Sequence, residues 1–253
     1  MSSVVHIERR DGVHTLTLGR PDKMNALSAE LVEALLSAVA QAEADAADVI
    51  VLRGEGKNFS AGFDFAGVDT DSEGDLLLRF VRIEMLLQAL AHSPCLTVAL
   101  AHGRNFGAGV DLVAACKVRV GTDTASFRMP GLKFGLMLGT RRYAALVGAH
   151  RAREVLEAAQ TFTATQALQD GFLSRVCSQD AWQAVVQEAG DTARALPMAV
   201  REHLYRVIAP AMANDDLADL VRSAARPGLK QRIAGYLEAS RPQGHSNQNK
   251  ETA

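Results

Sequence analysis

The chain has 253 residues, is 48% hydrophobic, and carries 27 basic and 29 acidic side chains for a formal net charge of −2. This length can bury the core of one large domain, and the balanced charge argues against a nucleic-acid footprint or a polybasic membrane face. The first residues lack the apolar stretch of a signal peptide, and no apolar run approaches the roughly 18 residues that span a bilayer, so we expect a cytoplasmic protein that binds neither nucleic acid nor membrane.

Three cysteines, Cys95, Cys116 and Cys177, lie far apart in the chain. Two of them stand in apolar runs, which indicates buried thiols in a reducing compartment. Their spacing matches no metal-ligand motif. We therefore predict that the protein has no metal site.

Strands alternate with helices through the first half of the chain. We predict strands over residues 4–8, 13–18, 48–53, 95–101 and 117–120. Ser28 is placed to cap a helix over 29–44, and a second helix is expected over 75–91. The apolar stripe predicted for this second helix consists of Leu78, Val81, Met85, Leu86 and Leu90.

The second half of the chain is predicted to be mainly helical. Helices are expected over residues 142–147, 151–159 and 164–170, with a cap at 161–163, and more helices follow between 181 and 240. The last residues are polar and predicted to be disordered. The whole pattern indicates an α/β core with a helical C-terminal appendage.

Several common catalytic and binding motifs are missing. The glycines at 54 and 56 have no third glycine in the position that dinucleotide binding requires, and there is no phosphate loop. Asn58 occupies the place of the first glycine in a nucleophile elbow, and no His-Glu-x-x-His occurs. These absences argue against dinucleotide, serine-hydrolase and metal-dependent chemistry.

The most informative segment is a glycine-rich turn at residues 103–112, between a predicted strand and a small-residue helix. Such a turn at a helix start leaves backbone N–H groups unpaired. Asp111 falls about one helical turn after Gly107, close to those groups. The segment is therefore either half of a site that stabilises an oxyanion and moves a proton, or a packing joint in which Asp111 complements the helix dipole.

A second small-residue turn, at residues 56–64, also follows a predicted buried strand. The two turns lie about 45 residues apart, each at the end of a strand. Donors on two neighbouring loops are what a two-donor oxyanion hole needs. The pair of turns therefore favours a site over a packing joint.

Five segments, in order along the chain, carry a resemblance to a known family. They are residues 16–27, 59–64, 107–112, 139–142 and 163–168. On these segments the chain resembles the crotonase (enoyl-CoA hydratase/isomerase) superfamily over roughly residues 4–242. The resemblance implies an α/β spiral of strand–strand–helix repeats, a helical C-terminal region used for trimerisation, trimers that often pair into hexamers, and a role in fatty acid metabolism. It divides the chain into an acyl-CoA-binding core (1–190), a helical region (191–242) and a disordered tail (243–253).

The resemblance also implies a ligand and its contacts. The ligand is an acyl-coenzyme A thioester, with coenzyme A as part of the substrate and no tightly bound cofactor. The peptide N–H groups of Ala61 and Ala108 would hold the thioester carbonyl, which fits the negative charge that an enolate places on that oxygen. The residues that would contact substrate or coenzyme A are Lys23, Ala26, Lys57, Ser60, Gly62, Phe63, Asp64 and Gly107.

The acids depart from the family pattern. Asp111 stands where family hydratases have one catalytic glutamate, and its side chain is shorter by one methylene, about 1.5 Å of reach. Gly131 stands where they have the second, and it has no group that could carry a proton. The expected enzyme is therefore a lyase or isomerase with Asp111 as its acid/base, while hydration, isomerisation, retro-aldol cleavage and decarboxylation stay open. The alternative is a catalytically silent acyl-CoA-binding or scaffold homologue.

Two arginines are expected near the same pocket. Arg104 and Arg128 occupy positions where the family has small or neutral residues. Either could pair with Asp111, or with a carboxylate on an unusual acyl group. The alternative is that each is exposed or held in a salt bridge.

Overall fold

A computed structural model describes residues 3–208 and 213–240 of the chain. The strands within these residues are β1 (Val5–Arg10), β2 (Val13–Leu18), β3 (Val49–Gly54), β4 (Leu96–Ala101), β5 (Arg104–Phe106), β6 (Val118–Gly121), β7 (Ser126–Arg128), β8 (Thr161–Thr163) and β9 (Arg175–Val176). The helices are α1 (Ala29–Ala44), α2 (Glu73–His92), α3 (Ala108–Ala115), α4 (Thr140–Val147), α5 (Ala149–Ala158), α6 (Ala164–Gln169), α7 (Trp182–Arg194), α8 (Met198–Ile208), α9 (Ala213–Ala224) and α10 (Leu229–Ala239). None of these helices combines the length and hydrophobicity needed to cross a bilayer.

Two sheets organise the core. The larger has the order β1-β2-β3-β4-β6-β9, in which β1 and β2 are antiparallel and the other neighbours are parallel. The smaller has the order β5-β7-β8. In parallel strands the carboxyl ends lie at one edge of the sheet, so the loops that follow β3 and β4 meet there.

The central strands β3 and β4 are almost wholly apolar because both faces of the sheet are covered. One face packs on the main core, which includes residues of α1 and α2, and the other packs on α7 through Val185, Ala189 and Ala193. Cys95 and Cys116 are buried, as their apolar surroundings predicted. This rigid centre holds the two loops at a constant separation.

Helix starts agree with the sequence-based expectations where a capping side chain is present. α1 begins after Ser28, whose hydroxyl accepts a hydrogen bond from the Leu31 N–H. α6 begins after Thr163, which forms a reciprocal capping box with Gln166. Both predictions are confirmed, since a cap is a local interaction within one turn.

The apolar stripe predicted for α2 is partly wrong. Leu86 and Leu90 are buried, but Leu78 is 57% exposed and Met85 is 40% exposed. The residues of α2 that enter the core are Leu76, Phe80, Ile83, Glu84, Leu86, Leu87 and Leu90. The error arose because apolar residues surround most of this helix, so that contacts with α1, α3 and α9 select the buried face.

Short strands of the second half were missed. β7, β8 and β9 have two or three residues each, too few to show a periodic pattern. The predicted boundary at residue 190 falls inside α7, which packs on β3 and β4, and the division into domains stays a prediction. The predicted tail at 243–253 lies outside the described residues.

Candidate active site

Two loops meet at the carboxyl ends of β3 and β4. Backbone bridges join Ser60 to Asn105 and Leu27 to Phe63. The Asn58 side chain accepts a hydrogen bond from the Arg104 N–H at 2.9 Å. The two small-residue turns of the sequence are therefore neighbours in space.

Glycine is required at the point where the loops touch. Gly62 has φ +78°, and a Cβ there would lie 2.2 Å from the Phe106 carbonyl oxygen and 2.9 Å from the Ala108 nitrogen. A Cβ on Gly109 would lie 2.4 Å from the Ser60 carbonyl oxygen. The first loop thus passes directly over the start of α3 because neither glycine has a side chain.

The backbone N–H groups around this contact differ in their partners. Ala61 donates its N–H to the Met24 carbonyl at 2.8 Å, and Gly107 donates to the Arg128 carbonyl at 2.8 Å. Within the described part of the chain, the N–H groups of Phe63 and Ala108 have no hydrogen-bond partner. The expectation that Ala61 offers a free donor is therefore corrected, because its N–H is bonded to the segment before α1 and the free donor belongs to Phe63.

A cavity of about 170 Å³ opens beside these N–H groups. Aromatic rings form much of its wall, and Phe63 stacks on Phe80 with their centroids 4.2 Å apart. The lining residues are Ala61, Phe63, Phe65, Phe80, Phe106, Gly107, Ala108, Asp111, Arg128, Met129, Pro130, Gly131, Leu132, Phe134, Leu136, Leu138, Thr140, Leu156 and Tyr236. The space is largely apolar, which suits an acyl group.

Asp111 is the only carboxylic acid among the lining residues. It is 2% exposed, and its Oδ1 has no hydrogen-bond partner. Burial raises the pKa of Asp111 well above its ordinary value, nearby Glu84 adds to the rise, and Arg142 opposes it. The raised pKa favours the protonated form of the side chain, and a protonated carboxyl group can donate a proton into an apolar space.

Two glycines shape the surroundings of the acid. Gly139 has φ +62°, and a Cβ there would lie 1.9 Å from the Asp111 Oδ1, so only glycine leaves room for the carboxyl group. Gly131 also lines the cavity and brings no titratable group. The site consequently contains one acid, in agreement with the departure seen in the sequence.

The remaining predicted contact residues divide into two groups. Ser60 and Asp64 hold the first loop in shape: the Ser60 hydroxyl donates to the Asn25 carbonyl at 2.8 Å, and Asp64 accepts from Arg20 at 2.8 Å. Partial burial works to raise the pKa of Asp64, but hydrogen bonds from the Ala66 N–H and Arg20 outweigh it and lower that pKa. Lys23, Ala26 and Lys57 do not line the cavity, and their contacts with coenzyme A stay a prediction.

A cluster of ion pairs lies behind the cavity. Arg142 forms a forked contact with Glu84, whose side chain is 1% exposed, and also contacts Asp216 at 3.2 Å. Arg141 extends the cluster to Asp216 and Asp219. These pairs join α2, α4 and α9, so the helices around Asp111 are fastened together by buried charge.

Some lining residues were missed by sequence reasoning. Tyr236 reaches the cavity from α10, and its ring packs on Phe134 with centroids 5.2 Å apart. No sequence signal marks this contact, because more than a hundred positions separate the two residues. Of the two arginines noted in the sequence, Arg128 lines the cavity and Arg104 is exposed.

Comparison with known proteins identifies the family. The model of the enoyl-CoA hydratase/isomerase family matches residues 8–226. The chain belongs to this family. A solved structure described as an enoyl-CoA hydratase/isomerase of Bordetella parapertussis is 55% identical, covers 95% of the chain and all of its own, and superposes with a TM-score of 0.93. The crotonase fold expected from the sequence is thereby confirmed.

Relatives within the family carry different activities in their names. Mycobacterium tuberculosis echA6, named a probable enoyl-CoA hydratase, is 35% identical over 84% of this chain and 83% of its own length. The 4-chlorobenzoyl coenzyme A dehalogenase-2 of an Arthrobacter species is 32% identical over 76% of this chain and 73% of its own. Family membership therefore fixes the type of fold and leaves the reaction to be argued from the site. No three His, Cys, Asp or Glu side chains come together as a metal site in the part of the chain that is described.

Proposed function

We propose that the chain binds an acyl-coenzyme A thioester and stabilises its enolate. The thioester oxygen accepts hydrogen bonds from the N–H groups of Phe63 and Ala108, in place of the pair predicted from the sequence. The observation that carries this proposal is that both N–H groups lack a partner and stand on loops in direct contact beside an apolar cavity. Fixed donors bind the negative oxygen of the enolate more tightly than the neutral carbonyl oxygen, and this difference lowers the barrier.

The proposed chemistry is that of a lyase or isomerase with one acid. Burial raises the pKa of Asp111 and so favours its protonated form, which delivers its proton to the enolate carbon or to a leaving oxygen. The carboxylate that results is the base that takes a proton back in a later step. The names of the relatives support a coenzyme A thioester as substrate, and coenzyme A then enters and leaves with the acyl group, without a tightly bound cofactor.

Proline at position 108 tests the oxyanion donors. Ala108 is the first residue of α3, a position that tolerates proline because its N–H has no helical partner. Ala108→Pro removes that N–H, and we expect turnover of the best thioester to fall about 100-fold or more. Ala29→Pro is the matched control at the first position of α1. Equal activity of Ala108→Pro and wild type would refute the assignment.

A panel of thioesters tests the acid. Purified protein is assayed with enoyl-, 3-hydroxyacyl- and malonyl-type coenzyme A thioesters, and Asp111→Asn is compared on the best substrate. We expect this variant to lose about 100-fold or more in kcat while its calorimetric Kd for a saturated acyl-CoA changes little. Asp111 has no role in the chemistry if the variant is as active as wild type.

A second candidate is a catalytically silent acyl-CoA-binding or scaffold homologue. Gly131 favours it, because the cavity holds one titratable acid where family hydratases have two. This candidate predicts calorimetric binding of thioesters with no turnover of any panel member. Failure to bind any thioester would exclude both candidates.

We also propose a cytoplasmic homotrimer or dimer of trimers. An unpaired apolar face on α8 supports subunit contact: Val200, Leu204, Val207 and Ile208 are between 42% and 68% exposed. Sedimentation equilibrium at micromolar concentration gives the stoichiometry. A monomer under these conditions would contradict the proposal.

A further inference from the structure

Among residues 3–208 and 213–240, Arg128 is the one cation that lines the acyl cavity. It is half-buried at the end of β7, next to the Pro130–Gly131 segment. Its Nε donates to the Ala159 carbonyl at 3.0 Å, which fixes the direction of the guanidinium group. Among the described residues its two Nη atoms have no hydrogen-bond partner, and no carboxylate pairs with it. Four strong N–H donors are therefore left for something in the cavity.

Within the described residues, no acidic side chain forms an ion pair with Arg128. A second cleft, of about 600 Å³, shares Arg128, Phe134 and Tyr236 with the acyl cavity. The other cations of this cleft, Lys133 and Arg232, donate to backbone carbonyls, and no acidic residue lines it. The region is positive as a whole, and a half-buried guanidinium without a counterion gains much from an anion.

The anion must be compatible with an apolar cavity that already holds the thioester. Phe63, Ala108 and Arg128 all line this cavity, so an acyl chain whose thioester oxygen is held by the two N–H groups shares the cavity with Arg128. Asp111 is not the counterion of Arg128, because the cation whose charge acts on the pKa of Asp111 is Arg142. A planar guanidinium with free Nη atoms matches a carboxylate through two parallel hydrogen bonds.

We propose that Arg128 is a specificity residue that selects acyl groups bearing a carboxylate at the end remote from the thioester. The substrate class is then the monothioester of a dicarboxylic acid. This inference rests on the proposed thioester site and adds the chemistry of the acyl group. Gly131 also lines this cavity and occupies none of its space with a side chain.

Matched pairs of thioesters test the proposal. Calorimetry compares succinyl- with butyryl-CoA, glutaryl- with pentanoyl-CoA and adipoyl- with hexanoyl-CoA, first on wild type and then on Arg128→Gln. In at least one pair we expect wild type to bind the acidic thioester about tenfold or more tightly than its neutral partner. Arg128→Gln should lose this preference and keep its affinity for the neutral thioester, while Arg128→Lys keeps part of the preference. Arg104→Gln, an exposed arginine on the neighbouring β5, is the matched control and should behave as wild type.

Each outcome has a separate meaning. Equal affinity for both members of every pair on wild type overturns the role of Arg128 and leaves the thioester site intact. A loss of affinity in Arg128→Gln that is the same for acidic and neutral thioesters also overturns it, because Arg128 would then bind the coenzyme A phosphates. Absence of binding for all six thioesters refutes the thioester site itself and this inference with it.

Discussion

Two buried carboxylic acids on neighbouring helices have opposite surroundings. Glu84 on α2 accepts the guanidinium fork of Arg142 and the side-chain amide of Gln88 at 2.9 Å. Asp111 on α3 has an Oδ1 without any partner and lines an apolar cavity. Their exposed fractions are nearly equal, at 0% and 2%, so burial alone does not distinguish them.

The difference separates an acid with a structural role from an acid that is available for chemistry. A buried acid with a complete set of hydrogen bonds holds helices together and has nothing left for a ligand. A buried acid without partners is costly to fold and is retained at a place where its proton can be used. Arg142 and Glu84 both act on the pKa of Asp111, so the ion-pair cluster lies near the acid and joins the helices around it.

Removal of Arg142 should have the largest effect on stability. Arg142→Met leaves Glu84 buried and uncompensated, and we expect the free energy of unfolding in urea to fall by about 3–5 kcal/mol. Adding Glu84→Leu should restore most of this loss, because no charge is then buried alone. Arg175→Met, which breaks the exposed pair with Glu188, is the control and should change stability little. If Arg142→Met loses no more unfolding free energy than the control, the cluster does not hold the helices together.

Substitution of Gly139 should show how tightly Asp111 is enclosed. We expect Gly139→Ala to lower the free energy of unfolding by about 1–2 kcal/mol because of the positive φ. The contact with Asp111 should lower it by about 1–3 kcal/mol more. Gly67→Ala, also at positive φ but with its nearest atom 3.8 Å away, measures the backbone part alone. Combining Gly139→Ala with Asp111→Ala should remove the second contribution, as measured by urea unfolding of Gly139→Ala, Gly67→Ala, Asp111→Ala and the double variant. If Gly139→Ala and Gly67→Ala lose the same unfolding free energy, then Gly139 does not enclose the Asp111 carboxyl group closely.

A smaller effect is expected in the pH dependence of stability. The unfolding free energies of Asp111→Asn and wild type should change differently with pH. Below the pKa of an unfolded aspartate, about 3.9, both states of wild type are protonated. Above it the unfolded state releases its proton while burial keeps the folded state protonated, so wild type loses stability as pH rises to the raised pKa. Asp111→Asn lacks this titration.

The stability of Asp111→Asn relative to wild type should therefore rise with pH, by about 1.4 kcal/mol for each pH unit between those two pKa values. Urea unfolding of both proteins at matched pH values measures the slope. A difference independent of pH would mean that the pKa of Asp111 is not raised in the folded protein.

Features set by a few adjacent residues were predictable from the sequence. The caps at Ser28 and Thr163 depend on a side chain and a backbone group within one turn, and both were placed correctly. The pairing of the two small-residue turns also followed from the order of strands, and the structure joins them at Ser60 and Asn105. The position of Asp111 at the start of α3 followed in the same way.

Features that depend on contacts between distant residues were not predictable. Ala61 and Phe63 are equivalent as peptide donors in the sequence. Folding brings the Met24 carbonyl close to the Ala61 N–H, which then donates to it. Leu78 and Leu76 are equally apolar, and the neighbouring helices decide that only Leu76 is buried. Arg104 and Arg128 were equal candidates in the sequence. The folded position of β7 decides that Arg128 lies in the cavity wall.

The sequence by itself determined the five longest strands and the two long helices of the first half, the two small-residue turns and the position of Asp111 at the start of α3, because each arises from residue type and local spacing. The tertiary structure alone decided which N–H groups stay free, which acid stays without a partner and where the charge of Arg128 lies. These properties depend on what each polar group meets after folding. A polar group that folding leaves unsatisfied beside a cavity is the part of the molecule available to a ligand.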